Sequence, residues 1–238
     1  MPYRISRARR GLQAVYLDIN ARLLSAYSSR IDPKIRDYVI AASIFLAHAE
    51  LENYIADIFS EFAFAAQAIA TKGSQLPGEL QSHLFLSKAN AKTVFSKYVG
   101  GNSEKELLKS FMVALRGHAG TIVNDSVAMA SFEGKDIYAG EKYPSVDNLK
   151  KLFYRIGIDN VFNKLNGYLK QDSEALLKSL GSFRTQLAHT GNIPPEASCK
   201  DIRDLLRNTE RFVGAIDRLM YKSISSNFSS SVWVFGKL

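Results

Sequence analysis

Cysteine is almost missing from this chain. Cys199 is the single one in 238 residues, which excludes an internal disulfide and a cysteine-built metal site and suits a reducing cytoplasm. Proline is scarce, with six, and neither proline nor glycine interrupts the stretch after Pro33 as far as Lys72. No apolar run approaches a membrane span. The longest, Tyr38 to Ala47, is far short of the ~20 residues a spanning helix needs. The basic start (Arg4, Arg7, Arg9, Arg10) is followed by an apolar stretch that Asp18 soon breaks, so it makes a poor signal peptide. A glycine-rich phosphate loop, a nucleophile elbow, internal repeats and low-complexity tracts are all lacking. Acidic residues are outnumbered, 23 against 31 basic ones, for a net charge of +8. That excess favours a polyanionic partner, because neutralising phosphates releases condensed counterions.

What is present is helical periodicity. With 46% hydrophobic residues the chain can bury a proper core, and its length fits one domain over residues 1–238. Residues 1–32 read as an N-terminal helix or arm. Its helix, Arg7 to Tyr27, starts with positive charge that opposes the helix dipole, so the arginines read as a solvated leader or, more sharply, as a phosphate-binding arm. From Pro33 to Lys72 one long helix is predicted, with Val39, Phe45, Leu51, Tyr54, Ile55, Ile58, Phe59 and Phe62 on a broad core face. A continuous helix of that length would span roughly 60 Å, so it must bend or project into a partner. Gly78 to Val99 and Ser103 to His118 are two further helices, divided by Gly100, Gly101 and Asn102 with Ser103 as cap. Residues 120–144 lose periodicity and read as a long loop, in which Tyr138 and Tyr143 either stack on unpaired bases or, preferably, pin the loop to the core. Short helices over Ser145 to Ile156 and Asp159 to Leu169 follow. The tail, 225–238, ends in an apolar tip suited to packing on the body or a neighbouring subunit.

The segment GSFRTQLAHTGN, Gly181 to Asn192, carries the chemistry. Leu176, Leu177, Leu180, Phe183 and Leu187 recur at helical spacing, so Arg184 and His189 fall on the last turns of a helix that Thr190 and Gly191 end and Pro194 and Pro195 keep from resuming. Ser198, with Asp201 three residues on, then caps a long final helix. This Arg-x4-His motif, Arg184 to His189, near the end of the penultimate long helix resembles the signature of the HEPN superfamily (higher eukaryotes and prokaryotes nucleotide-binding). A second likeness is AELENYIADIF, Ala49 to Phe59, which looks like the Leu-Glu-x-Tyr pattern on an early helix of the larger prokaryotic members. In outline the resemblance runs from Asp37 to Phe228. It implies an all-α helical bundle with one long central helix, a metal-independent endoribonuclease, a homodimer with a composite active site, and a setting in prokaryotic defence or toxin–antitoxin biology with an antitoxin or defence-system partner.

The residues suit that chemistry. RNA is cut without metal when its 2′-hydroxyl attacks the adjacent phosphorus, leaving a 2′,3′-cyclic phosphate and a 5′-hydroxyl. His189 can move a proton near neutral pH, and Arg184 offers a planar fork of donors to phosphate oxygens. Five steps of about 100° set the two about 140° apart on an ideal helix, so the last turn relaxes or they border a cleft from two sides; two motif copies across a dimer groove would meet that demand. Thr185 shares a face with His189 and stands where many members carry Asn, Asp or His. Where some members have Tyr two residues after the histidine, Gly191 stands here, and no modification is expected. Glu52 is the third candidate, to hold Arg184 by a bidentate pair, with a purely structural role weighed evenly. His48, one turn before Glu52, reads as a satisfied, partly buried histidine ahead of a groove residue.

Arg203, Arg207 and Arg211, with Arg218 and Lys222, lie near one face of the last helix and could track an RNA backbone. Asp201, Asp204, Glu210 and Asp217 are interleaved with them, which favours an ordinary solvated face. His48, Glu50 and Glu52 lack zinc-type spacing, so neither a protein-bound metal nor a cofactor is expected. The alternatives of other classes are a catalytically inactive HEPN-like helical module that binds RNA or protein, and a structural dimerisation protein with the motif groove occluded.

Overall fold

The computed structural model describes residues 3–28, 30–88, 96, 104–193 and 197–227, and these are all-helical, with no strand among them. Helix α1 spans Arg7–Ala26 and α2 spans Pro33–Ile69. After a short 3-10 turn, Gly73–Gln75, come α3 (Gly78–Lys88) and α4 (Glu104–Arg116). A second 3-10 turn, His118–Ile122, leads to the single-turn α5 (Gly134–Tyr138), then α6 (Val146–Arg155), α7 (Val161–Leu169), α8 (Ser173–Thr190) and α9 (Cys199–Asn227). The expected glycine break at 100–102 with its Ser103 cap, the Pro194–Pro195 turn and the apolar tip of the tail lie outside the described residues.

Helix α2 is the central element, packed against α1, α5, α8 and α9. Asp32 accepts from the Lys34 amide at its start and Pro33 occupies the first turn, where a missing N–H costs nothing. Its 37 residues run without a break, so it neither stops nor splits and extends about 55 Å. The two halves differ. Leu51, Tyr54, Ile55, Ile58, Phe59 and Phe62 are fully buried, whereas Phe45, expected on the core face, is 42% exposed, along with Ile35, Tyr38 and Leu46. The proximal half is covered on one face, where Ile40, Ile44 and Ala47 are buried, and Phe45 falls beside that stripe.

Two tyrosine hydroxyls tie the layers together across this core. Tyr16 on α1 donates to the Ala47 carbonyl at 2.9 Å, and Tyr54 on α2 donates to the Val213 carbonyl of α9 at 3.2 Å. Leu51 and Tyr54 of the Leu-Glu-x-Tyr segment thus point into the core, three positions apart on one helical face, leaving Glu52 at its edge. The long loop is strapped to α2 by Gln67, which donates to the Phe132 carbonyl at 2.5 Å and accepts from the Phe132 amide at 3.0 Å. Gly134 then meets α2 so closely that a Cβ there would lie 2.5 Å from the Ser60 Cα. Tyr138 packs against the core, as the pinning reading expected.

The arginine-rich start of α1 is resolved by carboxylates brought from other helices. The Ser6 amide donates to Asp217 of α9 at 3.2 Å and the Ala8 amide to Glu61 of α2 at 2.6 Å; negative charge at a helix N-terminus is stabilising. Tyr3 donates to Asp217 and accepts from Arg9 at 2.9 Å. Asp217, read from sequence as part of a solvated face, is therefore fully buried. Arg9 is drawn in over Gly214, where a Cβ would lie 3.0 Å from its guanidinium, while Arg4, Arg7 and Arg10 stay exposed.

Candidate active site

Helix α8 begins with Asp172 accepting from the Glu174 and Ala175 amides at 2.9 and 3.1 Å. It ends at Gly191, whose φ of +65° is the left-handed conformation glycine adopts freely and whose amide closes on Leu187 at 3.0 Å. It is α-helical through Thr190, so the last turn does not relax and the divergence of Arg184 from His189 stands. Leu177, Leu180 and Leu187 are buried, Arg184 is half-buried, and Thr185 and His189 are exposed. The single Cys199 at the start of α9 is buried, and burial pushes its thiol up.

Arg184 meets a cluster drawn from two other elements, α2 and the segment before α6. Its guanidinium carbon lies 5.9 Å from the centre of the Tyr143 ring, within cation–π range. The same ring lies 5.0 Å from the imidazole of His48, tilted by 38°. His48 Nδ1 is 3.9 Å from Glu52 Oε1 one turn on along α2. Among the described residues no ion pair joins Glu52 to Arg184, so the bidentate partnership expected between them is not formed; Glu52 faces His48 instead. His48 is buried, as read from sequence, but it belongs to the Arg184 cluster and not to an unrelated part of the core.

Tyr143, expected from sequence to pin the loop to the core or to stack on bases, is the cluster residue that sequence reasoning did not connect with Arg184. Its backbone carbonyl accepts from the Ser145 amide at 2.8 Å and from the Asn148 side chain at 3.1 Å, while Ser145 caps α6 through the Asn148 amide at 3.1 Å. Pro144 follows it and is buried, which biases Tyr143 to an extended backbone. The ring is thereby held against α2 and α8 by the start of α6. The available signal was a tyrosine before Pro-Ser at a helix start, which marks a fixed backbone without saying what the ring touches.

Electrostatically, burial lowers the His48 pKa, Glu52 works against that shift, and the Arg184 charge adds to it. The shift favours the neutral imidazole, a form that can accept a proton. No three His, Cys, Asp or Glu side chains gather as metal ligands do among the described residues.

The basic residues of α9 do not share one free face. Arg203 donates to Asn20 of α1 at 2.7 Å, Arg207 pairs with Asp204 at 2.9 Å, and Arg211 reaches the Leu169 carbonyl of α7 at 3.4 Å. Arg207 and Arg211 are exposed, and Arg203 and Arg207 border a groove of about 140 Å³ between α1 and α9.

This motif geometry sits in a chain whose residues 16–222 match the RiboL-PSP-HEPN family model. The chain belongs to this family. Neither a curated protein nor a solved structure matches it. Membership points to a nucleotide- or RNA-related function, HEPN domains often being RNases. The HEPN match covers α2, the Tyr143 segment, α8 and most of α9, so all four clustered side chains lie inside it. No helix among the described residues is long and apolar enough to cross a membrane.

Proposed function

We propose that this HEPN chain acts as a single domain and is a cytoplasmic, metal-independent endoribonuclease. The observation that carries the reading is the half-buried Arg184 beside the Tyr143 ring, which His48 and Glu52 adjoin, with an exposed His189 further along the same helix. In this reading Arg184 holds the scissile phosphate and stabilises the charge that grows on phosphorus. His189 moves a proton, Thr185 lines the groove as a hydroxyl donor or acceptor, and Glu52 supports the cluster. The exposed Arg207 and Arg211, with Arg203 at the α1–α9 groove, guide the flanking backbone.

Because α8 stays regular, Arg184 and His189 of one copy diverge, and a homodimer with a composite site would bring a second motif to the groove. The apolar positions Ile35, Tyr38, Phe45 and Leu46 on the proximal half of α2 support that reading, since they recur at helical spacing and run toward Glu52. The biological setting is a toxin or defence effector held by an antitoxin or system partner.

The test is cleavage of a mixed structured RNA in EDTA by wild type, Arg184→Ala and His189→Ala, with chemical identification of the new ends. Cyclic phosphate ends from the wild type alone are expected; equal cleavage by all three proteins sinks the assignment. Solution mass of wild type and Phe45→Asp tests the dimer, with a monomeric variant expected. The absence of an Arg184–Glu52 pair favours a second reading, a HEPN module that binds RNA or protein without cutting. Tight, salt-sensitive RNA binding with no cleavage of any RNA would select it.

A further inference from the structure

Two histidines of α2 and α3 are both largely sequestered, yet they are held in different ways. His83 is a satisfied structural histidine: its Nε2 meets the Asp136 carbonyl at 2.9 Å. Among the described residues His48 has no such backbone partner. The Glu52 carboxylate lies 3.9 Å from its Nδ1, longer than a hydrogen bond, and its ring lies on Tyr143, which also carries Arg184. A histidine kept for packing alone gains nothing from a position next to a guanidinium, because the like charge penalises protonation. A histidine kept for proton transfer does, because the same arrangement keeps it neutral at the phosphate-binding residue.

From this geometry we infer that His48, oriented by Glu52 and backed by Tyr143, is a second proton-transfer residue of the site, accepting the 2′-hydroxyl proton of RNA whose phosphate rests on Arg184. The inference rests on the ribonuclease reading. It deepens that reading by supplying a base on the side of α8 that Arg184 faces and His189 does not. In the step, the bond from O2′ to phosphorus forms and the bond from phosphorus to O5′ breaks. The 2′-proton passes to the His48 imidazole, and the departing O5′ takes a proton from His189 of either copy. Exchange with water then returns His48 to neutral and His189 to its protonated form, and no oxidant, metal or co-substrate is consumed.

The charged and titratable groups facing His48 are Glu52 on its own helix, Tyr143 from the loop and Arg184 from α8. The experiment is RNA cleavage in EDTA from about pH 5 to about pH 9 by wild type, His48→Gln, Glu52→Gln and Arg184→Ala, with thermal unfolding of each. His48→Gln should lose about 10²- to 10⁴-fold in kcat/KM and its acid limb, at an unfolding temperature close to that of wild type. Glu52→Gln, at a half-exposed position, should move the acid limb to lower pH, since the lost carboxylate had favoured the protonated imidazole. Added imidazole should partly restore His48→Ala. Cleavage by His48→Gln within about threefold of wild type, or an acid limb unmoved in Glu52→Gln, overturns the role of His48 while an inactive Arg184→Ala leaves the nuclease reading standing. A wild type that cleaves no RNA removes both.

Discussion

Helix α2 carries two polar clusters thirteen residues apart, about 20 Å along its axis, and they are built to opposite ends. Around Glu61 the groups are closed on one another: Tyr3 and the Ser6 amide donate to Asp217, the Ala8 amide donates to Glu61, and Arg9 donates to Tyr3. Around His48 the groups are near one another but unbonded. Arg184, Thr185 and His189 make no side-chain hydrogen bond among the described residues, and the nearest charged approach is the 3.9 Å between His48 and Glu52. The first cluster uses charge to hold three helices together, and the second leaves its charge available to an incoming group. Even the closed cluster is incompletely matched, since Asp217 Oδ1, Glu61 Oε2 and Arg9 Nε are buried without a hydrogen-bond partner. Mutual attraction among oppositely charged groups offsets part of that cost.

The two clusters should respond to substitution in opposite ways. Arg184→Ala should lower RNA cleavage by about 10²- to 10³-fold, the usual consequence of removing a transition-state charge stabiliser, and shift stability by less than about 0.5 kcal/mol in urea unfolding. A large loss of stability would put Arg184 in the closed class. Asp217→Ala should do the reverse, leaving the Tyr3 hydroxyl and the Ser6 amide without an acceptor in a buried place and costing about 3 kcal/mol. Cleavage per folded molecule should be unchanged. Asp172→Ala, which removes the α8 N-cap at the end of the helix remote from the motif, should cost about 1 kcal/mol and leave cleavage at its wild-type level; a loss of activity would mean that α8 positions Arg184 through its whole length.

The smallest effect concerns pH. Burial raises the Glu61 carboxyl from 4.5 to about 7, against the pull of the α1 amides. Between those values the folded chain holds a proton that the unfolded chain has released, so this group's contribution to stability is present at the acid end and is lost as pH rises toward 7. Water reaches part of the side chain and weakens the dependence. Glu61→Gln should flatten stability across that window in chemical unfolding at a series of pH values, and an unchanged slope would assign the pH dependence to other groups.

Local signals were readable because they act within a few residues. Pro33 and Asp32 open α2, Gly191 closes α8, and Ser198 with Asp201 opens α9 through reciprocal bonds, the Ser198 amide to Asp201 at 3.0 Å and the Asp201 amide to Ser198 at 3.2 Å. The apolar rhythm of α8 correctly set Arg184 and His189 on its last turns. Other readings missed because they depend on what lies opposite. Phe45 is grouped from sequence with the α2 core face, but the buried stripe of that half runs through Ile40, Ile44 and Ala47, and Phe45 falls beside it. Asp217 alternates with arginines like a surface residue, yet Tyr3 and Ser6 approach it from more than two hundred positions away.

By itself the sequence determined the helices, most of their ends and the Arg-x4-His spacing, since caps, turns and periodicity are short-range effects of backbone geometry. Only the tertiary structure decided which side chains share the candidate site. His48, Tyr143 and Arg184 meet because the Tyr143 segment and α8 both pack on α2, and no local preference encodes a contact between residues so far apart in the chain. It also decided that Arg184 comes to the Tyr143 ring without an ion pair to Glu52 among the described residues. The approach of Glu52 to His48 is the i,i+4 spacing of one helix, whereas what α8 brings alongside is set by packing.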